Sequence, residues 1–194
     1  MGQFLPGLFR RIIRNPPHGS APAEARVEAD AARLLKQIRA HAEADRKATF
    51  VSCWHANDGE SEALWRLYCP LGSTGVAIET TAERLSVSLG DSDIELGRVQ
   101  YVDFRKSFAG LHDRIFWKRS SLRHEAEVRA VFKQSFSRES TGVHRLIDLD
   151  RLCVSVVPSP FAGSWFDELI QSVAKTYGYK LNISKSELLS HPFF

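Results

Sequence analysis

Several things this chain has little of narrow the chemistry open to it. Three cysteines, Cys53, Cys69 and Cys153, with no Cys-x-x-Cys pair, argue against a disulfide framework and predict a reducing, cytoplasmic setting. A zinc site built on Cys53 and His55 would need its remaining ligands from distant segments. There is no phosphate loop and no dinucleotide-binding glycine fingerprint, so the usual backbone cradle for a nucleotide is missing. No Gly-x-Ser-x-Gly elbow surrounds Ser52, which leaves a serine triad unsupported. Cys53 with His55 or His124 offers a thiol and a base, but Cys53 sits in an apolar run, where an unactivated cysteine is the common case. No apolar run approaches the ~20 residues that span a bilayer, and neither an internal repeat nor a low-complexity tract is present.

What is present reads as an ordinary globular chain. Its 194 residues are 43% hydrophobic and 25% charged, enough for one domain with a sizeable core and an appended helical arm. The first fifteen residues carry Arg10, Arg11 and Arg14 among Phe4, Leu5, Leu8, Phe9, Ile12 and Ile13. That order of charge and apolar residues is not a secretory signal. It predicts a short amphipathic helix packed on the domain, with an interfacial membrane helix as the alternative. The net charge of +3 is small, yet nine Lys/Arg against four Asp/Glu lie between Arg98 and Lys133. Within that segment Arg105, Lys106, Lys118, Arg119 and Arg123 are the candidates for contacting nucleic acid.

Periodicity organises the rest. Val27, Ala31, Leu34, Leu35, Ile38 and Ala42 follow helical spacing and predict a helix from about Pro22 to Asp45. Thr49 to Trp54 reads as a largely buried strand. Asn57 with Glu60 makes a capping box for a helix carrying Leu64, Trp65 and Tyr68, and Thr80 with Glu83 caps another to about Leu89. Strands are expected at Gly75–Glu79, Leu96–Phe104, Glu125–Lys133, Leu152–Val157 and Tyr179–Ile183, with a helix at Ser164–Thr176 stopped by Gly178. Ser135–Thr141 is polar and turn-like. Irregular alternation of strands and helices predicts an α+β fold, a mixed or antiparallel sheet with packed helices. The expected division is a helical arm over 1–48 and the α+β domain over 49–194.

The strongest charge constellation is His124-Glu125-Ala126-Glu127-Val128-Arg129. As a strand it puts Glu125, Glu127 and Arg129 on one face, the carboxylates roughly 7 Å apart. Such a row can stabilise a developing oxocarbenium ion or split two carboxyl pKa values for acid–base work. It can equally be an ion-pair ladder without catalysis. Trp54, Trp65 and Tyr68 could stack on a ring, or simply fill a core.

The stretch Val51–Tyr68, holding two of the four Trp, carries a resemblance. Ser52-Cys53-Trp54-His55, then Glu60 to Tyr68, Gly75-Val76-Ala77-Ile78, and Phe116 to Arg129 ending in His124-Glu125-Ala126-Glu127-Val128-Arg129, resemble the bacterial domain of unknown function 2971 family. Pro158, the helix beyond it and Ser186 also look like that family, so the likeness spans about Thr49 to Leu188. The family's activity is unassigned. Its members usually begin with a strand containing Tyr-Lys/Arg-Tyr and then a motif like Asn/Asp-Pro-Phe-Glu, neither of which occurs here. Met1-Gly2 stands about where the second would finish, and the resemblance therefore implies a late start with one edge of the domain incomplete.

An analogy to NAD-dependent ADP-ribosyltransferases of the Arg-Ser-Glu type suggests chemistry. Phe50-Val51-Ser52 is similar to their second motif and Glu125-Ala126-Glu127 to their third. By that analogy Glu127 holds the nicotinamide ribose and stabilises its oxocarbenium, and Glu125 helps the acceptor. Ser52 supports the glutamate, Trp54 covers the nicotinamide, and Tyr68 and Arg129 complete a cofactor cleft. Three readings stand: NAD-dependent ADP-ribosyl or glycosyl transfer through Glu127, a non-catalytic module binding nucleic acid or protein in defence or regulation, and a stable domain whose Glu/Glu/Arg row is structural.

Overall fold

The structure, a computed structural model, describes residues 24–70, 73–90, 93–107, 113–134 and 141–190. The amphipathic segment Phe4–Ile13 and most of the polar stretch Ser135–Thr141 lie outside the described residues. The fold is α+β, and backbone contacts gather the chain into two units: Met1–Phe50 with Lys133–Thr141, and Val51–Phe132 with Gly142–Phe194.

In the first unit the three- and four-residue recurrence of apolar positions does form a helix, α1 (Glu24–Ala48). Val27 and Ala31 are buried, Leu34, Leu35, Ile38 and Ala42 are half-buried, and Arg33, Lys36, Arg39 and Glu43 are exposed. The helix runs three residues past the expected Asp45, because the Asp45 carbonyl accepts a 2.6 Å hydrogen bond from Thr49 Oγ1. The Gln134 amide closes on the Ala48 carbonyl at 2.8 Å.

The sheets draw on the second unit for all their residues except Thr49, Phe50 and Lys133. β1 (Thr49–His55), β6 (Glu127–Lys133) and β3 (Ile94–Arg98) form a three-stranded sheet in the order β1-β6-β3. β3 and β6 are antiparallel with Gly97 opposite Arg129. β2 (Val76–Glu79) pairs antiparallel with β7 (Ser155–Pro158), and β4 (Gln100–Val102) runs parallel to β5 (Trp117–Arg119). Between them lie α2 (Glu62–Tyr68), α3 (Ala82–Leu89), the single turn α4 (Leu149–Leu152) and α5 (Trp165–Thr176). Leu64, Trp65, Leu85, Val131, Val156 and Phe166 are among its buried side chains. Among the described residues no helix is long and apolar enough to cross a membrane.

Several local expectations shift, each for a visible reason. β1 is mostly exposed, not buried. Among the described residues it is an edge strand with a neighbour on one side only. Ser61, not Asn57, caps α2, because the Glu60 carboxylate is drawn away to Trp65 Nε1 at 3.3 Å and the Ser186 hydroxyl at 2.6 Å. Thr81 caps α3, since the Thr80 hydroxyl donates to the Leu152 carbonyl instead at 2.6 Å. The single strand expected over Leu96–Phe104 breaks into β3 and β4 at the buried Val99, whose amide turns to the Glu127 carbonyl at 2.8 Å. Leu149–Leu152 is a helical turn, which delays β7 to Ser155. Tyr179–Ile183 contributes one bridge, Ile183 to Val156, rather than a strand.

Candidate functional site

The Glu-x-Glu-x-Arg row is built differently from a plain strand. A 3-10 turn, Ser120–Glu125, ends at Ala126, which adopts φ 42° and ψ 49°. That left-handed conformation is strained for alanine by about 1 kcal/mol or more. Ala126 is held there from both sides: its amide donates to the Arg123 carbonyl at 3.2 Å, and its carbonyl accepts from Ala56 at 2.9 Å. β6 starts only at Glu127. The expected strand placement of Glu125 is therefore corrected: Glu127 and Arg129 share a strand face, and the turn brings Glu125 to them.

Glu127 is the centre of the arrangement, and it is covered, at 3% exposure. Arg129 Nε donates to its Oε1 at 2.9 Å and Nη2 to its Oε2 at 3.3 Å. Lys118 Nζ, delivered by β5, lies 2.6 Å from Oε2 and also pairs with Glu125. Arg129 Nη1 donates onward to the Ile115 carbonyl. The Glu127 amide donates to the Tyr101 hydroxyl at 2.8 Å, and the Cys53 thiol completes the carboxylate's partners. Two carboxylates and two cations leave the cluster neutral.

Burial by itself would raise the Glu127 carboxyl, but the hydrogen bonds from Arg129, Cys53 and Lys118 outweigh it and hold the pKa at about 2. Burial and the Glu127 carboxylate both push the Cys53 thiol up, the opposite of an activated nucleophile. Desolvation opposes the charge on Lys118, yet Glu125 and Glu127 raise its pKa on balance. A carboxylate this acidic and this covered holds no proton to give at neutral pH and has no open side for substrate. What it does is join β6 to β1, β4, β5 and the Ile115 turn.

The other residues singled out from the sequence fall into separate places. Because Cys53 reaches Glu127, strand alternation sends Ser52 and Trp54 to the opposite face of β1. There Trp54 Nε1 donates to Ser52 Oγ at 3.1 Å. Tyr68 is exposed, its ring 5.7 Å from that of His55, and His55 Nδ1 lies 2.7 Å from the Glu125 carbonyl. A carbonyl only accepts, so Nδ1 is the donor in that contact. Ser52 and Trp54 thus lie on the face of β1 turned away from Glu127. Of the basic candidates, Lys118 is taken up by the two glutamates and Arg105 pairs with Asp103 at 3.1 Å. Lys106, Arg119 and Arg123 are exposed. Among the described residues no group of three or more His, Cys, Asp or Glu is placed to hold a metal ion.

A second feature was not anticipated. β2, β7 and α5 enclose a half-open groove of about 400 Å³. Its walls include Val76, Ile78, Val156, Phe166, Leu169 and Val173, with the Cys153 thiol beside them. The sequence signal for it was the width of the apolar arc on α5. Phe166 and Ala174 face inward, while Trp165, Leu169 and Val173 recur every four residues and remain 57%, 45% and 48% exposed. A helix needing only one buried stripe would not carry that second row. Comparison of the chain with protein-family models, with curated proteins and with solved structures finds no match in any of the three.

Proposed function

We propose that this chain is a non-catalytic binding module that takes an apolar segment of a protein into the groove between β2, β7 and α5. The groove itself is the observation behind this reading. A concave, almost wholly apolar surface of this size is a binding feature by default, and contiguous exposed apolar patches mark interaction sites. The charged cluster supports it from the other direction, since a neutral, covered ion network has the character of a clamp. Nucleic-acid contact would rest on the exposed remainder Lys106, Arg119 and Arg123, a thinner basis than the sequence offered.

The reading is tested with anilinonaphthalenesulfonate, an apolar dye that fluoresces when shielded from water. Wild-type protein is expected to enhance its emission several-fold more than Leu169→Lys does, with both proteins folded by circular dichroism because Leu169 is 45% exposed. Equal enhancement by the two proteins would remove the groove as a binding surface.

NAD-dependent ADP-ribosyl or glycosyl transfer is the second reading, and one observation favours it. Backbone strain gathers at functional sites, and the left-handed Ala126 stands between Glu125 and Glu127. A thermal-shift titration with NAD on wild type and Glu127→Gln decides it. A ligand at about a hundred times its dissociation constant adds about 2.7 kcal/mol to stability. A wild-type shift that Glu127→Gln abolishes favours transfer, and no shift in the wild type eliminates it.

A further inference from the structure

The groove is half-open, and the chain holds an uncovered apolar segment close to one end of it. Residues 142–148 form neither helix nor strand, and all seven are exposed. Among them Leu146 is 104% exposed, as bare as a leucine in an unfolded chain, and Val143 and Ile147 are each 39% exposed. A single exposed leucine is ordinary on a protein surface. What sets this one apart is where the chain holds it.

On one side of Leu146 the chain is fixed to the groove wall. Asp148 caps α4, its carboxylate accepting from the Asp150 and Arg151 amides at 3.0 and 3.3 Å. Thr80 ties the turn down through the Leu152 carbonyl, and Arg84 donates to the Cys153 carbonyl at 3.1 Å. Leu149 of this turn and Cys153 just after it both line the groove. Three residues of extended chain span at most about 11 Å, so the Leu146 Cα lies within that distance of the Leu149 Cα. On the other side Arg145 pairs with Asp93 at 3.1 Å and sits 4.3 Å over the Phe132 ring. An exposed ion pair contributes little to stability, and a long Arg side chain can change rotamer while its backbone moves. That tether keeps the segment near the groove without fixing it in place.

The opposite wall presents an aliphatic residue at the same end. After α5 the Tyr179 amide donates to the Ala174 carbonyl at 2.8 Å, and the Asn182 carbonyl accepts from Val156 at 2.8 Å. Ile183 then bridges Val156 in parallel, so the chain turns at the end of α5 and runs beside β7 in the same direction. This brings the last turns of α5 to the Cys153 end, where Val173, Tyr177 and Tyr179 line the groove. Val173 is itself exposed.

We infer that residues 142–148 are a strap that closes over the groove, with Leu146 as the covering side chain and Val173 as its landing point. This deepens the binding-module reading and rests on it. In the open position Leu146 meets water. Over a filled groove it meets apolar surface on the occupant as well as on α5, so filling the groove favours closure.

The test has two readouts. The first is the dissociation constant of anilinonaphthalenesulfonate for wild type, Leu146→Ser and Leu169→Lys. Leu146 packs on nothing in the open form, so Leu146→Ser should leave the circular dichroism and the urea midpoint unchanged while weakening the dye at least about threefold. The second is the double variant Leu146→Cys/Val173→Cys treated with diamide. It is expected to form an intramolecular disulfide between positions 146 and 173, which peptide mass separates from any bond to Cys153, because the two Cα atoms must come within about 7 Å. Dye affinity equal in wild type and Leu146→Ser, with enhancement still lost in Leu169→Lys, overturns the strap and leaves the groove standing. Absence of the 146–173 disulfide overturns the strap as well. Equal enhancement by wild type and Leu169→Lys removes the groove and the strap with it.

Discussion

Replacing Glu127 with glutamine is expected to lower the unfolding free energy by about 3 kcal/mol, read as a shift of the urea midpoint. The isosteric amide keeps the shape of the side chain but leaves Lys118 and Arg129 without their shared carboxylate, and removing one member of a buried charge network costs about 3–5 kcal/mol. The lower end applies because Lys118 retains Glu125 and its side chain is 25% exposed. The pH dependence checks the same cause. The folded-state carboxyl titrates at about 2 against an ordinary 4.5, so the folded chain binds fewer protons than the unfolded one across that window. Stability should therefore rise with pH from about 2 to 4.5, by about 3 kcal/mol from this group. It should be fully present above the upper limit and lost as pH falls through the lower. Glu127→Gln flattens that part of the profile. A variant with unchanged midpoint and unchanged acid slope would mean that the cluster does not hold the fold.

Gly97→Val is expected to lower stability by about 2–3 kcal/mol, although the position is neither charged nor at a turn. Gly97 lies opposite Arg129 across the β3–β6 ladder, and residues directly opposite in an antiparallel pair share a face. Over that bare backbone sits the Phe116 ring. A Cβ at position 97 would stand 2.7 Å from Phe116 Cε1 and 3.0 Å from Cζ, inside van der Waals contact. The ring cannot withdraw freely, because Ile115 beside it accepts from Arg129. A larger side chain therefore either strains the ring or lifts the Asp113–Phe116 turn from the sheet and opens that hydrogen bond, and overpacking of this kind costs about 1–3 kcal/mol before the bond is counted. The two substitutions should be coupled. In a Glu127→Gln background Gly97→Val should cost at least 0.5 kcal/mol less, within the range seen for residues in one network. Strict additivity would show that the glycine and the ion cluster are independent.

How far the sequence could be read depended on the range of the interactions involved. α1 was legible because its apolar stripe recurs with helical period along one continuous segment. α5 was legible too, with Gly178 at φ 79° just past its end. Capping was harder. Asn57, Ser61, Thr80 and Thr81 are all chemically competent caps, and the choice was made by distant partners, Ser186 claiming Glu60 and Leu152 claiming Thr80. The charged row was legible as a cluster, yet its geometry was not. Nothing local announces that Ala126 will be left-handed, since the carbonyl of Arg123 and the amide of Ala56 impose it. Tyr101 and Lys118 as partners of Glu127, and Phe116 over Gly97, were beyond reach because they join segments far apart in the chain.

The sequence by itself determined the α+β class, the long helix from Glu24, the helix from Trp165 and the set of residues whose charges had to be reconciled somewhere. Those follow from propensity, period and composition, which act over a few residues. Tertiary structure decided what the charges are for and where the apolar surface opens. Folding β6 against β4 and β5 covered Glu127 and gave it two cations, while packing α5 on β2 and β7 used one of its apolar rows and left the other exposed. Burial belongs to the arrangement of all the segments at once, and a carboxylate's role changes with it more than with any neighbour in the chain.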